Sequence, residues 1–249
     1  MGDVHQQLGD LQRAKEYQDR SLAIRLKKLG PDHTDVATTY SKLGVIHQQL
    51  GDLQQAKEYQ DRALAVRLKK LGPDHTDVAT IYAHMGLIYL QLGDLGRAKE
   101  YGDHALAIWL QKLGPDHNYV ATAYFNLGVI HQKSGDLESA KECQDRALAI
   151  RLRNLGPDHT DVATSSSKLG DIYQQLGDLQ RAKEYQDRAL AIRLKKLGPD
   201  HTDVATTYSK LGVIYKQLGD LQRAKEYQDC VLAIKLKKLG PDVATDYCE

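Results

Sequence analysis

Large apolar side chains are scarce in this chain of 249 residues: one Phe, one Trp and two Met, with aromatics of all kinds at 6%. A deep central core or a broad sheet, which draws on Val, Ile and Phe, is poorly served by that supply. Three cysteines, Cys143, Cys230 and Cys248, are too few and too scattered for a disulfide framework or a zinc site, and read as free thiols. Neither sign of charge dominates, with 34 Lys and Arg against 33 Asp and Glu, so the basic stripe of a nucleic-acid-binding protein is missing. There is no apolar run of membrane-spanning length and no signal-peptide pattern. Gln6 stands where a myristoylation signal starting at Gly2 needs Ser or Thr. A cytoplasmic protein without membrane contact is expected. Phosphate-cradling loops, nucleophile elbows and paired metal-ligand histidines are lacking too, so neither an enzyme nor a cofactor is expected.

What is there is repetition. Leu-Gly before Pro-Asp recurs at Leu29, Leu71, Leu113, Leu155, Leu197 and Leu239, every 42 residues. The stretches from Leu53 to Tyr89 and from Leu179 to Tyr215 are nearly identical. Each period predicts two helices. In the unit 31–72, Thr34 is the expected N-cap and Asp35 places negative charge in the first turn. Val36, Tyr40, Leu43, Ile46, His47 and Leu50 then recur at helical spacing until Gly51. Asp52 is expected to cap the second helix, with Gln55 completing a capping box. Leu53, Ala56, Tyr59, Ala63, Leu64 and Leu68 form its apolar face, Arg67, Lys69 and Lys70 its last turn, and Gly72-Pro73 its stop.

The columns Leu43-Gly44, His47, Gly51, Ala56 and Ala63 resemble the tetratricopeptide signature, and the 42-residue period with LGPDHTDVAT linkers resembles the kinesin light chain and nephrocystin kind of that repeat. Gln60, Gln144 and Gln186 stand in a column where the family often carries an aromatic. The resemblance implies an all-α, right-handed superhelical solenoid of antiparallel helix-turn-helix repeats. We read 1–249 as a single array: a partial leading repeat 1–30, full repeats 31–72, 73–114, 115–156, 157–198 and 199–240, and a truncated trailing repeat 241–249. Neither end has the polar cap a solenoid needs, so a fragment, with possible end-to-end self-association through uncapped termini, is expected.

The five linker histidines, His33, His75, His117, His159 and His201, come one per repeat. Neighbouring hairpins lie roughly 8–10 Å apart, too far to share an ion whose ligands sit at about 2 Å, so they read as structural and no metal is expected. The resemblance further implies a concave groove lined by the first helices. Those helices vary most in the middle repeats, which nominates Thr80, Ala83, His84, Leu87, Leu90, Thr122, Phe125, Asn126, Val129, Gln132, Lys133, Ser167, Lys168 and Asp171 as the partner-binding surface. Phe125 is the expected aromatic anchor and Asn126 a peptide-backbone partner. Trp109, expected at a partly exposed column, and Tyr119 in the following linker form a possible second anchor. Ser166 replaces the Tyr of the other repeats and is expected to loosen its hairpin. The function expected is a protein–protein interaction scaffold that takes a protein or an extended, mildly acidic peptide. The alternatives are the sensor arm of a larger signalling NTPase, or a plain spacer.

Overall fold

The computed structural model describes residues 9–239, so the first eight residues of the partial leading repeat, Cys248 and the trailing repeat 241–249, with the uncapped termini, lie outside the described residues. Among the described residues all regular structure is helical, in eleven helices. They are α1 Leu11–Leu29, α2 Thr34–Gln49, α3 Leu53–Leu71, α4 Thr76–Leu92, α5 Leu95–Leu113 and α6 Asn118–Ser134. There follow α7 Leu137–Leu155, α8 Thr160–Gln175, α9 Leu179–Leu197, α10 Thr202–Gln217 and α11 Leu221–Leu239. Two compact units divide between Ser134 and Gly135, which falls inside the repeat expected over 115–156. Within the first, α2–α3 and α4–α5 are paired helices, α1 packs on α2, α3 on α4 and α6 on α5. Within the second, α8–α9 and α10–α11 are the pairs, with α7 packed on α8 and α9 on α10.

Small residues set the spacing. Ala56 and Ala63 of α3 and Ala182 and Ala189 of α9 are fully buried, as are Leu43 and Ile46 in the first unit and Leu169 and Ile172 in the second. The closest approach is at Gly44, where a Cβ would sit 2.6 Å from Nε2 of Gln60, and at Gly170, where it would sit 2.7 Å from Nε2 of Gln186. The glutamine column is thereby explained. A wholly buried amide lies across the glycine, with Gln60 Nε2 donating to the Ser41 carbonyl at 3.0 Å and Gln186 Nε2 to that of Ser167 at 3.0 Å.

Two capping expectations are corrected. The N-cap of α2 is His33, whose Nδ1 accepts the backbone N–H of Asp35 at 3.1 Å; Thr34 is the first helical residue. His75, His117, His159 and His201 accept the equivalent N–H at the same 3.1 Å. An imidazole nitrogen thus does the work that a Ser, Asp or Asn oxygen does elsewhere. At α3, Asp52 accepts from the Gln55 N–H at 3.2 Å as expected, but Gln55 turns its own amide to Glu58. The reason is that the Asp52 N–H already donates to the His47 carbonyl at 2.9 Å, closing the end of α2. At the far end Gly72 has φ 81° and ψ 168°, a region open essentially to glycine alone, which turns the chain out of α3 toward Pro73.

Repeats are joined by residues near the ends of the second helices. Arg25 donates to the Asp35 carbonyl at 2.9 Å and to Thr39 Oγ1 at 2.7 Å. Arg193 does the same to Asp203 and Thr207, and Arg151 to Asp161 and Ser165. Arg67 meets Ile81 in place of the hydroxyl, so it bonds the Asp77 carbonyl and turns back to Thr38 Oγ1 at 3.2 Å. Burial lowers the pKa of Arg67, Arg151 and Arg193, against the opposing pull of the nearby Asp77, Asp161 and Asp203 carboxylates. Lys69 pairs with Asp32, Lys195 with Asp158 and Lys237 with Asp200, each reaching back to the preceding linker.

A second linkage runs inside the hairpins. Arg97 lies 4.5 Å over the Tyr89 ring, Arg181 5.4 Å over Tyr173 and Arg223 5.4 Å over Tyr215. Where the first helix carries His47 instead, the arginine column holds Gln55, and His47 Nδ1 lies 3.4 Å from the Asp52 carboxylate.

Candidate partner-binding surface

In the first unit the nominated residues sit on α4 and α6. Thr122 and Lys133 are exposed, and Thr80, Ala83, His84, Leu87, Phe125, Asn126, Val129 and Gln132 are half-buried. Leu90 departs from expectation: only 8% exposed, it belongs to the core. Thr80 and Thr122 each bond the carbonyl four residues back, to Thr76 and Asn118, which fixes their rotamers. His84 Nδ1 lies 3.5 Å from Gln60 Nε2, and burial, with Arg67 nearby adding to it, lowers the imidazole pKa to about 4. The ring is therefore neutral near neutral pH.

Ala83, Leu87 and Asn126 converge on one small hollow, completed by Gly86, Gly102, Ala105, Ala123 and Ile130. Gly102 is the cause. It stands in the column of Gln60 and Gln186, and the vacated space is taken in part by Leu127, whose Cδ2 would lie 2.8 Å from a Cβ at this position.

Trp109 requires a correction. It is 2% exposed, not partly exposed, because it occupies the linking-arginine column and lies against the start of the next helix. Its ring stacks on Tyr119 at 5.2 Å and 23°. Tyr119 lies in the first turn of α6 rather than in a linker and is 51% exposed. Tyr119 replaces the Asp of other repeats and Ala123 the hydroxyl-bearing residue, so a hydrogen-bonded junction has become an aromatic one, and the buried Trp109 Nε1 has no partner.

In the second unit, Ser167 is 2% exposed while Lys168 and Asp171 are half-buried. Ser167 and Asp171 belong to a polar network across three helices. Gln186 Nε2 donates to Asp171 Oδ1 at 2.9 Å, and Ser167 Oγ donates to Gln186 Oε1 at 3.0 Å. Lys210 of α10 donates to Asp171 Oδ2 at 2.7 Å and to Ser167 Oγ at 2.9 Å. Burial lowers the Lys210 pKa despite the Asp171 carboxylate beside it. Lys210 is thus neutralised from within. The signal that could have found the network is the pairing of Asp171, the one acid in a column of Val45, Leu87, Val129 and Val213, with a lysine one repeat later.

Among the described residues no group of three or more His, Cys, Asp or Glu is placed to hold a metal ion, and no helix is long and apolar enough to cross a membrane.

Stacked antiparallel hairpins with small-residue contacts and one cap chemistry per repeat define a helical-repeat protein, an architecture generally used for protein–protein interaction. The tetratricopeptide repeat model matches residues 1–69, 35–110, 77–153, 119–195 and 161–237, and the chain belongs to that family. Among solved structures it is similar to BtubC (BKLC) from P. vanneervenii, with 27% identity over 95% of this chain and 92% of that one, at a TM-score of 0.75. A putative kinesin light chain from Podosopora anserina with nearly identical TPR-like repeats matches at 25% identity over 83% of this chain and 98% of that one, TM-score 0.70. The apo form of RapI shares the fold at 13% identity and a TM-score of 0.69, each chain covered to 94%. No curated protein matches.

Proposed function

We propose that this protein is a cytoplasmic interaction scaffold, without catalytic activity or cofactor, that receives an extended peptide or partner surface on the face lined by its first helices. The observation that carries this reading is on α4 and α6. There the otherwise copied first helices have changed to His84, Leu87, Phe125 and Asn126, and these side chains remain partly accessible. Phe125 supplies the aromatic anchor and Asn126 the backbone contact, beside the hollow opened by Gly102. Exposed Lys133 in the first unit and half-buried Lys168 in the second favour an acidic ligand, and Lys210 adds nothing to that pull because it is held by Asp171.

Affinity capture from a cytosolic extract with the native chain and with a Phe125→Ala, Asn126→Ala variant tests the proposal. A partner bound by the native chain should bind the variant at least ~30-fold more weakly, the ratio set by about 2 kcal/mol for a hot-spot residue. Equal capture by both proteins would remove this face from the mechanism.

A further inference from the structure

One column of the second helices holds Gln18, Gln60, Gln144, Gln186 and Gln228, and at 102 a glycine. That column faces a glycine of the first helix. Across Gly44 and Gly170 lie the side chains of Gln60 and Gln186. Across Gly86 the backbone of α5 comes closest: a Cβ there would sit 3.2 Å from the Ala98 carbonyl oxygen and 3.5 Å from the Gly102 nitrogen. The backbone does not call for glycine at 102. The residue lies inside α5, is not among the glycines with positive φ, and glycine destabilises a helix interior.

What the glycine leaves is a hollow of about 240 Å³, counting the space at its mouth. Buried Gly86, Gly102, Ala105, Ala123 and Ile130 form its floor, and half-buried Ala83, Leu87 and Asn126 its rim. The missing side chain and the hollow coincide, since Gly86 and Gly102 bound both. The other repeats show which way round the space is polar. Gln60 rises from the second helix with its Cγ over Gly44, and its amide ends among the groove positions. There it donates to the Ser41 carbonyl at 3.0 Å, with His84 Nδ1 3.5 Å away. In 73–114 the equivalent carbonyl is that of Ala83, and Asn126 stands in the His84 column one repeat on. A ligand arriving from the groove enters from the opposite end, so it meets the polar positions at the mouth and the alkyl ones on the floor.

We propose that the hollow over Gly86 and Gly102 receives a small aliphatic side chain, Val or Ala, from an extended partner peptide, whose backbone is hydrogen-bonded by Asn126 at the mouth. The floor carries no side-chain donor or acceptor, so a polar tip inserted there would lose its hydrogen bonds to water without replacement. Size is limited from within. Leu127 Cδ2 would lie 2.8 Å from a Cβ at Gly102, so the space left is smaller than a glutamine side chain and excludes Leu and aromatic rings. The proposal rests on the reading of α4 and α6 as the partner-binding face, and names the kind of residue that this face selects.

The test is selection of random dodecapeptides displayed on phage against the immobilised full-length chain, followed by anisotropy titration of the enriched peptides. These should share a Val or Ala at one position, and its replacement by Gly or by Phe should weaken binding at least ~10-fold. Gly102→Gln restores the residue of the other repeats and fills the hollow, and should weaken the same peptides at least ~10-fold. Ala83→Leu closes the mouth from the rim and carries the test if crowding of Leu127 keeps Gly102→Gln from folding. Peptides that lose affinity with Phe125→Ala but bind Gly102→Gln and Ala83→Leu as tightly as the native chain would overturn the pocket and leave the groove standing. A preference for Phe or Leu at the shared position would overturn it as well. Failure to enrich any peptide that depends on Phe125, Asn126 or Gly102 would overturn both readings.

Discussion

Lys210→Met should leave Asp171 carrying a charge in a site built to neutralise it. The two side chains are 27% and 20% exposed and 2.7 Å apart. Breaking a fully buried pair costs about 3–5 kcal/mol, and exposed pairs contribute about 0–1, so a partly screened pair should cost about 1–3 kcal/mol when halved. Asp171→Val alone should cost a similar amount, because it leaves Lys210 buried against Ser167 Oγ only. The double variant Asp171→Val, Lys210→His recreates the pairing that the chain already uses one unit earlier, Val45 with His84. There Gln60 keeps its bond to the Ser41 carbonyl without a nearby acid, as Gln186 would keep its bond to Ser167. The double variant should therefore lie within about 1 kcal/mol of native, against about 2–6 kcal/mol for the sum of the two singles. Repeat arrays need not unfold in one step, so the readout is hydrogen exchange at amides of α8, α9 and α10 rather than a single melting point. Each single variant should exchange about 5- to 150-fold faster there, and the double variant about as the native chain does. A double variant as unstable as the sum of the two singles would refute the reasoning.

Two further outcomes follow from the caps and the groove histidine. His84 is neutral in the fold down to pH about 4, whereas an unfolded His takes a proton near its ordinary value of 6.5. Acid therefore favours the unfolded state: stability should fall as pH drops from 6.5 toward 4, by about 1–3 kcal/mol after allowance for partial exposure. Denaturation of native and His84→Asn proteins across that range checks it, and an equal slope in both would refute it. His75→Ala should cost about 1 kcal/mol by removing the N-cap acceptor of α4, while His75→Asn should cost only a few tenths. Exchange rates in the first turn of α4 distinguish them, and a loss as large for Asn as for Ala would dismiss the capping role.

The helical hairpins were readable in the sequence because local signals recur with the period: a cap, an apolar face, a glycine stop. What escaped was contact between repeats. Arg67 reads in sequence as a charge favouring the helix end, yet it bridges α2 and α4 from beneath, and its choice of Thr38 over the usual hydroxyl is dictated by Ile81. Trp109 reads as exposed because a column that holds Arg in four other repeats looks polar, yet Arg67 and Arg151 of that column are buried and Arg25 and Arg193 half-buried. Thr34 reads as the cap in sequence, rather than His33, because an imidazole is rarely counted among cap acceptors. Of the binding face, the positions on α4 and α6 are legible as places of change, while Ser167 and Asp171 read as surface unless Asp171 is compared with Lys210 one repeat later, since their partners lie one helix and one repeat away.

The linkage of Tyr89 to Arg97, Tyr173 to Arg181 and Tyr215 to Arg223, against His47 with Gln55, bears on how such a chain can be edited by genetic exchange. Copies this alike are natural substrates for unequal crossing-over, and most crossover points would leave a working repeat. A break within the eight residues that separate the two partners changes the pairing. Tyr beside Gln would leave the hydroxyl and ring face without their cation, whereas His beside Arg is a combination the chain already carries, at His5 and Arg13. Exchange within the hairpin turn is thus tolerated in one direction and costs a cation–ring contact in the other.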